Sequence, residues 1–332
     1  MTKLFDKISY TPFYPEVRRL RGRFVITRSG VVLAHWKWTF ASMYRHPIVV
    51  VRFLVITLLS LVKRGVVRVE DGRDLGLVHT GWTAGYYHWL TESLPRALVL
   101  QDAFPEAVPM LPSAVFQKYV GSLEKLGFRD VMFFPGGANV RVRDPIVTGC
   151  LRTYGTIDPG LLKRVRDRIL ENTPVDGATK PFRVVYVSRA KSRGRTVLNE
   201  ADLLQALRDL NVELHHFEDL DFEGQVRLMQ ETKCLISIHG AGLTNMMFMP
   251  EGGSVIEIIP RKHGIFDYKY GRNSIRHEPC YVRLAGVFGH RHSAIVGVAD
   301  SKWHEATDMA NVSVDPMQVA RAVAGTGDHG EE

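Results

Sequence analysis

Ser237-Ile238-His239-Gly240-Ala241-Gly242-Leu243-Thr244-Asn245 sits between two short apolar runs. Upstream, Cys234-Leu235-Ile236-Ser237-Ile238 is short, apolar and β-branched, and reads as a buried strand. Downstream, Leu243 to Met249 reads as one or two helical turns, closed by Pro250-Glu251-Gly252-Gly253, and Ser254 to Ile259 reads as the next strand. A strand, a glycine turn and a helix start together make an anion site. The N–H groups of a first helical turn have no partner within the helix, and the helix dipole favours negative charge there. Gly240 and Gly242 allow the backbone to turn sharply and approach a ligand closely. In an open parallel sheet such a turn lies at the carboxyl ends of the strands, where ligands bind.

The pattern continues outward from this stretch. Arg183 to Val187 predicts a strand, and Asn199 is placed to cap a helix over about Glu200 to Leu210. Val212 to Phe217 predicts a strand, and Asp221 caps a helix reaching about Thr232. A β-α-β-α-β-α-β order requires right-handed crossovers and a parallel sheet, which is a Rossmann-like domain. The first half is less regular. A hairpin is expected around Arg28-Ser29-Gly30, and a helix over Tyr86 to Gln101 with a break near Pro95. A loop and short strand follow over Phe104 to Pro112, then a helix over Phe116 to Leu126, a strand over Val131 to Phe134 and a basic helix over Leu161 to Leu170. Pro174, Gly177 and Pro181 mark a linker. The expected division is 1–173, 182–300 and a C-terminal helix and tail over 301–332.

A chain of 332 residues suggests roughly two domains. An apolar share of 45% and a charged share of 23% describe a globular protein with full cores. The net charge of +8 fits nucleic acid, anionic lipid or phosphorylated small molecules. The chain has no aromatic-interleaved basic stripe or known recognition motif, so nucleic acid is not the expected partner. Three scattered cysteines, Cys150, Cys234 and Cys280, argue against a disulfide framework and for a reducing compartment. Met1 to Tyr10 has no apolar signal-peptide core. Ile48 to Val62 is almost wholly apolar but is interrupted by Arg52, and it is shorter than the roughly 20 residues a spanning helix needs. Arg45, His46, Lys63, Arg64 and Arg68 flank it. It reads either as a buried helix or strand pair of the first domain, or as an in-plane helix making peripheral contact with an anionic membrane.

Three constellations carry chemistry. His88 and Glu92, four apart, share a face of a helix, where a base and its orienter, a metal pair or a purely structural hydrogen bond are all possible. Ser188 and Arg189 end a predicted strand and are followed by Arg193, Arg195 and Asn199; guanidinium forks suit diphosphate oxygens. The third is His239 to Asn245, with Glu218 and Glu257 read as strand-end carboxylates of the kind that meet ribose hydroxyls. The pairs His215–His216 and His290/His292, at adjacent or alternate spacing, are not read as a ligand set, so no metal is expected.

Taken together these segments resemble glycosyltransferase family 61. The carriers are His88, Trp89, Glu92, Pro95 and Arg96; then Tyr186, Ser188, Arg189, Arg195 and Asn199; then His239, Gly240, Ala241, Gly242, Leu243, Thr244 and Asn245, with Val255 to Glu257 downstream. The match runs over about Leu75 to Pro260. The resemblance implies a GT-B-like α/β architecture of two facing Rossmann-like domains. It implies inverting transfer of a sugar from a nucleotide donor, commonly UDP-linked, to a hydroxyl of a surface-polysaccharide or lipid-linked glycan. The donor side would comprise Ser188, Arg189, Arg195, Asn199, Glu218, the His239 to Asn245 loop and Glu257, with His88 or Glu92 as catalytic base. No cofactor is implied. A cytoplasmic enzyme at the inner membrane face is the expected setting. A nucleotide-sugar-binding protein without catalysis is the alternative, and a nucleic-acid-binding protein the more remote one.

Overall fold

A computed structural model of the chain describes residues 16–27, 30–33, 47–80, 83–113, 117–149, 158–175, 180–192, 195–261, 280–300 and 310–326. Arg28 and Ser29 of the expected hairpin, Cys150 and Arg193 lie outside these residues. The molecule is mixed α/β and divides into two units, Met1–Asn172 and Thr173–Glu332.

The first unit holds β1 (Val17–Arg19), β2 (Arg23–Ile26), β3 (Val66–Arg68), β4 (Leu75–Leu77), β5 (Val108–Pro112), β6 (Met132–Phe134), β7 (Asn139–Arg143) and β8 (Ile146–Thr148). Its five-stranded sheet runs β1-β8-β4-β5-β6, with β8, β4, β5 and β6 parallel and β1 an antiparallel edge. The chain leaves β4 for β5 on one side, and β8 later pairs on the other, so the strand order reverses at β4. The crossover from β4 to β5 is helical: Tyr86–His88 is α, Trp89–Ser93 is a π turn, and Leu94–Ala103 is α again. Proline has no N–H to donate back into the preceding turn, and the break expected near Pro95 takes the form of this π turn. Trp89 anchors it, stacked on Tyr119 at 4.6 Å and donating from Nε1 to Ser122 Oγ at 2.9 Å.

A second, three-stranded sheet has the order β2-β7-β3. The expected hairpin after β2 closes through an Ile26–Val32 bridge, with Gly30 at φ 72°. The apolar stretch is one helix, Pro47–Arg64, rather than a strand pair. It turns into β3 through Gly65 at φ 65°, a left-handed conformation that glycine adopts without a Cβ clash.

The second unit holds β9 (Arg183–Val187), β10 (Val212–His215), β11 (Thr232–Ile238), β12 (Ser254–Arg261), β13 (Arg291–Ala299) and β14 (Val312–Ser313). The sheet order is β10-β9-β11-β12-β13-β14, all parallel except β14. The chain winds outward from β9 to β10, then crosses back over β9 to β11. That reversal is a topological switch point, and the crevice it opens at the strands' carboxyl ends is where doubly wound sheets bind ligands. Tyr186, Ile236, Ile256, Leu203 and Val319 form part of the core on one face. Tyr186 is fully buried and its hydroxyl donates to Glu200 Oε1 at 2.6 Å; burial and this bond push the phenol's pKa up, so it stays neutral. Asp221 caps the Phe222–Gln230 helix as expected, accepting from Gly224 N.

Candidate active site

The switch point of the second unit is built by two loops. At the end of β9, Ser188 N donates to His215 O at 2.9 Å, and Ser188 Oγ accepts from Ala190 N at 3.1 Å, turning the chain away from the sheet. At the end of β11, Ser237 Oγ donates to the Val187 carbonyl at 2.8 Å, which binds the two strand ends together. The loops meet where Arg189 lies against Gly240. A Cβ at Gly240 would stand 2.5 Å from Arg189 Nη1 and 3.1 Å from Cζ. Gly240 has φ 171°, an ordinary extended value, so space and not conformation requires glycine here.

Arg189 and Arg195 repel one another at this place. Burial lowers the Arg189 pKa, and the charge of Arg195 lowers it further; Glu218 and Tyr281 act in the opposite direction. Arg189 Nε and Arg195 Nε are both buried with no hydrogen-bond partner among the described residues. Arg195 also has φ 57°, a left-handed conformation rare for a side chain of its size. Strain and buried unpaired donors concentrated in one loop make it the candidate site of this unit. An anion with several acceptor oxygens would satisfy the donors and neutralise the pair.

Beyond the glycine turn, Ala241–Phe248 is a 3₁₀ helix rather than an α turn. Its residues divide into two roles. Leu243 is core, and Asn245 Nδ2 donates to Gln225 Oε1 at 2.9 Å, so Asn245 locks this helix to the Phe222–Gln230 helix. Thr244 is fully buried, and its Oγ1 has no hydrogen-bond partner among the described residues. Gly242 is not left-handed; a Cβ there would meet Phe217 Cδ2 at 3.3 Å, so tight packing is its constraint. Ala241 and Gly240 remain as the residues whose backbone opens the helix.

Three sequence expectations need correction. Asn199 does not cap its helix with its side chain and does not reach the arginines: its amide donates to Val314 O at 2.8 Å and accepts from Val314 N at 3.0 Å, clipping the chain after β14. Glu218 does not end a strand, since β10 stops at His215 and Glu218 lies in the Phe217–Asp219 turn. Glu257 sits within β12, opposite Ser237, and not at its end. Its two oxygens are engaged by His239 Nδ1 at 2.5 Å and His292 Nε2 at 2.8 Å. Burial favours the neutral acid, but the hydrogen bonds and charge of the two histidines win and hold the carboxyl at about 2. The ionised carboxylate therefore fixes the tautomer and orientation of His239, whose ring also packs edge-on against Tyr281 at 5.1 Å. Tyr281 is not expected from the sequence, and His292, weighed there only as a metal ligand, is instead the second partner of Glu257. His292 is brought to Glu257 by the register of β13 on β12, and Tyr281 to His239 by the placement of the Cys280–Val287 helix; no local spacing reports either. Among the described residues no group of three His, Cys, Asp or Glu is arranged to hold a metal ion.

In the first unit, His88 Nδ1 and Glu92 Oε1 are 2.6 Å apart, half-buried, at the start of the π turn. The helix begins after the carboxyl end of β4, so this pair belongs to the carboxyl edge of its sheet. Arg96, one turn further along, has a different task. It is fully buried and donates to the carbonyls of His79, Thr148 and Gly149, which follow β4 and end β8. Arg96 is thus a structural clamp.

The family model for Glycosyltransferase 61 matches residues 86–256, just over half of the chain. Among curated proteins, the EGF domain-specific O-linked N-acetylglucosamine transferase of Drosophila melanogaster is 32% identical over 119 residues, covering 34% of this chain and 22% of that protein. Its counterpart in Canis lupus familiaris is 28% identical over 152 residues, covering 44% and 25%. Protein O-linked-mannose beta-1,4-N-acetylglucosaminyltransferase 2 of Canis lupus familiaris is 33% identical over 96 residues, covering 28% and 17%. The chain spans about a quarter or less of the length of these relatives. The matched span opens at the turn that carries His88 and Glu92 and closes on the strand that carries Glu257, and this chain belongs to glycosyltransferase family 61.

Proposed function

We propose that this chain transfers a sugar, with inversion, from a nucleotide-diphosphate donor to a hydroxyl of a glycan or lipid-linked glycan. The observation that carries the donor half is the Arg189–Arg195 pair, with its buried unpaired Nε donors at the switch point. As the glycosidic bond breaks, negative charge grows on the leaving diphosphate. On this reading the two guanidiniums and the first N–H groups of the Ala241–Phe248 helix stabilise it. His239, held by Glu257, lends a further donor to that side. The proton of the attacking hydroxyl passes to His88, oriented by Glu92 through their 2.6 Å contact. A single displacement opposite the leaving group inverts the anomeric centre. A doubly wound sheet in the second unit and an open parallel sheet in the first support a GT-B-type arrangement. UDP is the nucleotide to test first. N-acetylglucosamine is the first sugar, because the relatives' names specify it. A surface polysaccharide made at the cytoplasmic membrane face is the acceptor setting this reading favours.

The test pairs calorimetric titration of UDP with a transfer assay. Arg189→Ala is expected to weaken UDP by on the order of 2 kcal/mol, the scale of charge-assisted hydrogen bonds, while uridine binding stays unchanged. His88→Ala is expected to bind UDP normally and lose transfer by about 10²-fold or more. Unchanged UDP affinity in the arginine variant overturns the donor assignment. Retained transfer in the histidine variant overturns the base.

A further inference from the structure

The Pro47–Arg64 helix is inside out for a helix on a globular surface. Val51, Leu58 and Val62 are 60%, 63% and 77% exposed, and Val55 and Leu59 are exposed beside them. At 3.6 residues per turn these five positions fall in one stripe about 100° wide. The opposite side carries Thr57, which is buried, and Ser60, whose carbonyl accepts from Asn139 Nδ2 at 3.2 Å. Thr57 and Ser60 thus turn toward the protein, and the five exposed apolar side chains turn away from it. Burying such a stripe in water's place is favourable by roughly 25 cal/mol per Å², so leaving it exposed calls for an explanation.

A second observation comes from strand register. In the β2-β7-β3 sheet, Arg23 stands opposite Arg143, and Arg68 stands opposite Arg141. All four are exposed. Like charges set directly opposite are unfavourable within a sheet. Arg68 is relieved by Glu70 at 3.3 Å and Arg143 by Asp144 at 3.6 Å, while Arg23 and Arg141 have no ion pair among the described residues. Asn139, Arg141 and Arg143 alternate along β7 and so share a face. Asn139 is the residue that holds the helix, through Ser60 and the Gly65 carbonyl. The arginines therefore project from the face of the sheet that carries the helix, and the apolar stripe looks out in the same direction.

We propose that this face docks on an anionic phospholipid surface, with the helix lying in the interface plane and the arginines on lipid phosphates. An apolar stripe flanked by cations is the chemistry that peripheral anionic membranes select. A second copy of the chain fits less well, because a two-fold contact through this face would set arginines against arginines. Among the described residues no helix is long and apolar enough to cross a membrane. The proposal stands on the first unit alone and does not depend on the glycosyl-transfer reading.

The test is co-sedimentation of the full chain with phosphatidylglycerol-rich vesicles and with pure phosphatidylcholine vesicles, across a salt series. The chain is expected to bind the anionic vesicles at low salt, to be partly released as salt rises, and to ignore the zwitterionic ones. Arg141→Gln is expected to lower the partition coefficient about fivefold, the effect of one cation near such a surface. Leu58→Ser with Val62→Ser, both exposed and so compatible with folding, is expected to make release by salt complete. Equal binding to both vesicle types, no binding at low salt, or variants indistinguishable from the parent overturns the proposal. So does a parent chain that is dimeric by light scattering and becomes monomeric in the serine double variant. Transfer activity on a water-soluble acceptor is expected to survive these surface substitutions, which separates failure of the docking face from failure of the catalytic reading.

Discussion

The guanidinium of Arg189 occupies the space where any residue other than glycine at position 240 would place its Cβ, which would lie 2.5 Å from Arg189 Nη1. The glycine after β11 and the arginine after β9 are thus one device, contributed by two loops that meet at the switch point. Gly240→Ala is expected to leave the backbone in place, since φ 171° suits any residue, and to displace Arg189 instead. The expected result is a UDP affinity lower by about tenfold, roughly 1.4 kcal/mol, with a melting temperature close to that of the parent. Calorimetry and a thermal melt on the same sample check both halves.

Gly242 behaves differently because its neighbour is a ring. A Cβ there meets Phe217 Cδ2 at 3.3 Å, with Val187 Cγ1 at 3.7 Å, close enough to require a small shift. Gly242→Ala is therefore expected to fold with a cost below that of Gly242→Val, which overpacks the site by about 1–3 kcal/mol. Chemical denaturation of the two variants tests the order. An equal cost would mean that packing against Phe217 is not the constraint.

Asn199 lies in a basic segment of the sequence yet works as a clip. Asn199→Ala removes both of its bonds to Val314 and is expected to destabilise the fold by about 1–3 kcal/mol, the penalty for leaving buried backbone groups unpaired. UDP binding at saturating temperature margin is expected to be unchanged. A variant of full stability with weakened UDP binding would return Asn199 to the donor site.

Glu257 predicts an acid limb. Burial works against its charge, but the histidine hydrogen bonds carry its folded pKa down from an ordinary 4.5 to about 2. A carboxylate shifted in this direction contributes stability above its unfolded pKa, and loses that contribution as pH falls toward the folded value. Stability is therefore expected to drop between pH 4.5 and 2, and Glu257→Gln is expected to flatten that drop. At neutral pH the same variant is expected to be less stable by on the order of 2 kcal/mol, since it loses a charge-assisted acceptor shared by two imidazoles. Unfolding followed by denaturant across this range measures both.

The alternating second unit, the strand–glycine–helix turn at His239, the arginines after β9 and the His88–Glu92 spacing are all legible along the chain. Each rests on a period or an offset of a few residues, and such local geometry survives whatever the rest of the chain does. The sequence also located the apolar Ile48 to Val62 run, but left open whether that run was core or surface; only the fold set Thr57 and Ser60 inward and Leu58 and Val62 outward. The tertiary structure alone decided which carboxylate His239 meets, that Asn199 serves Val314, that Arg96 clamps the ends of β8 and β4, and that four arginines stand side by side on one small sheet. Every one of these is a pairing between segments far apart in the chain. Strand register sets such pairings, and a shift of one residue sends each side chain to the other face. Register in turn is chosen by burial of the whole sheet, a collective quantity that no short stretch of sequence contains.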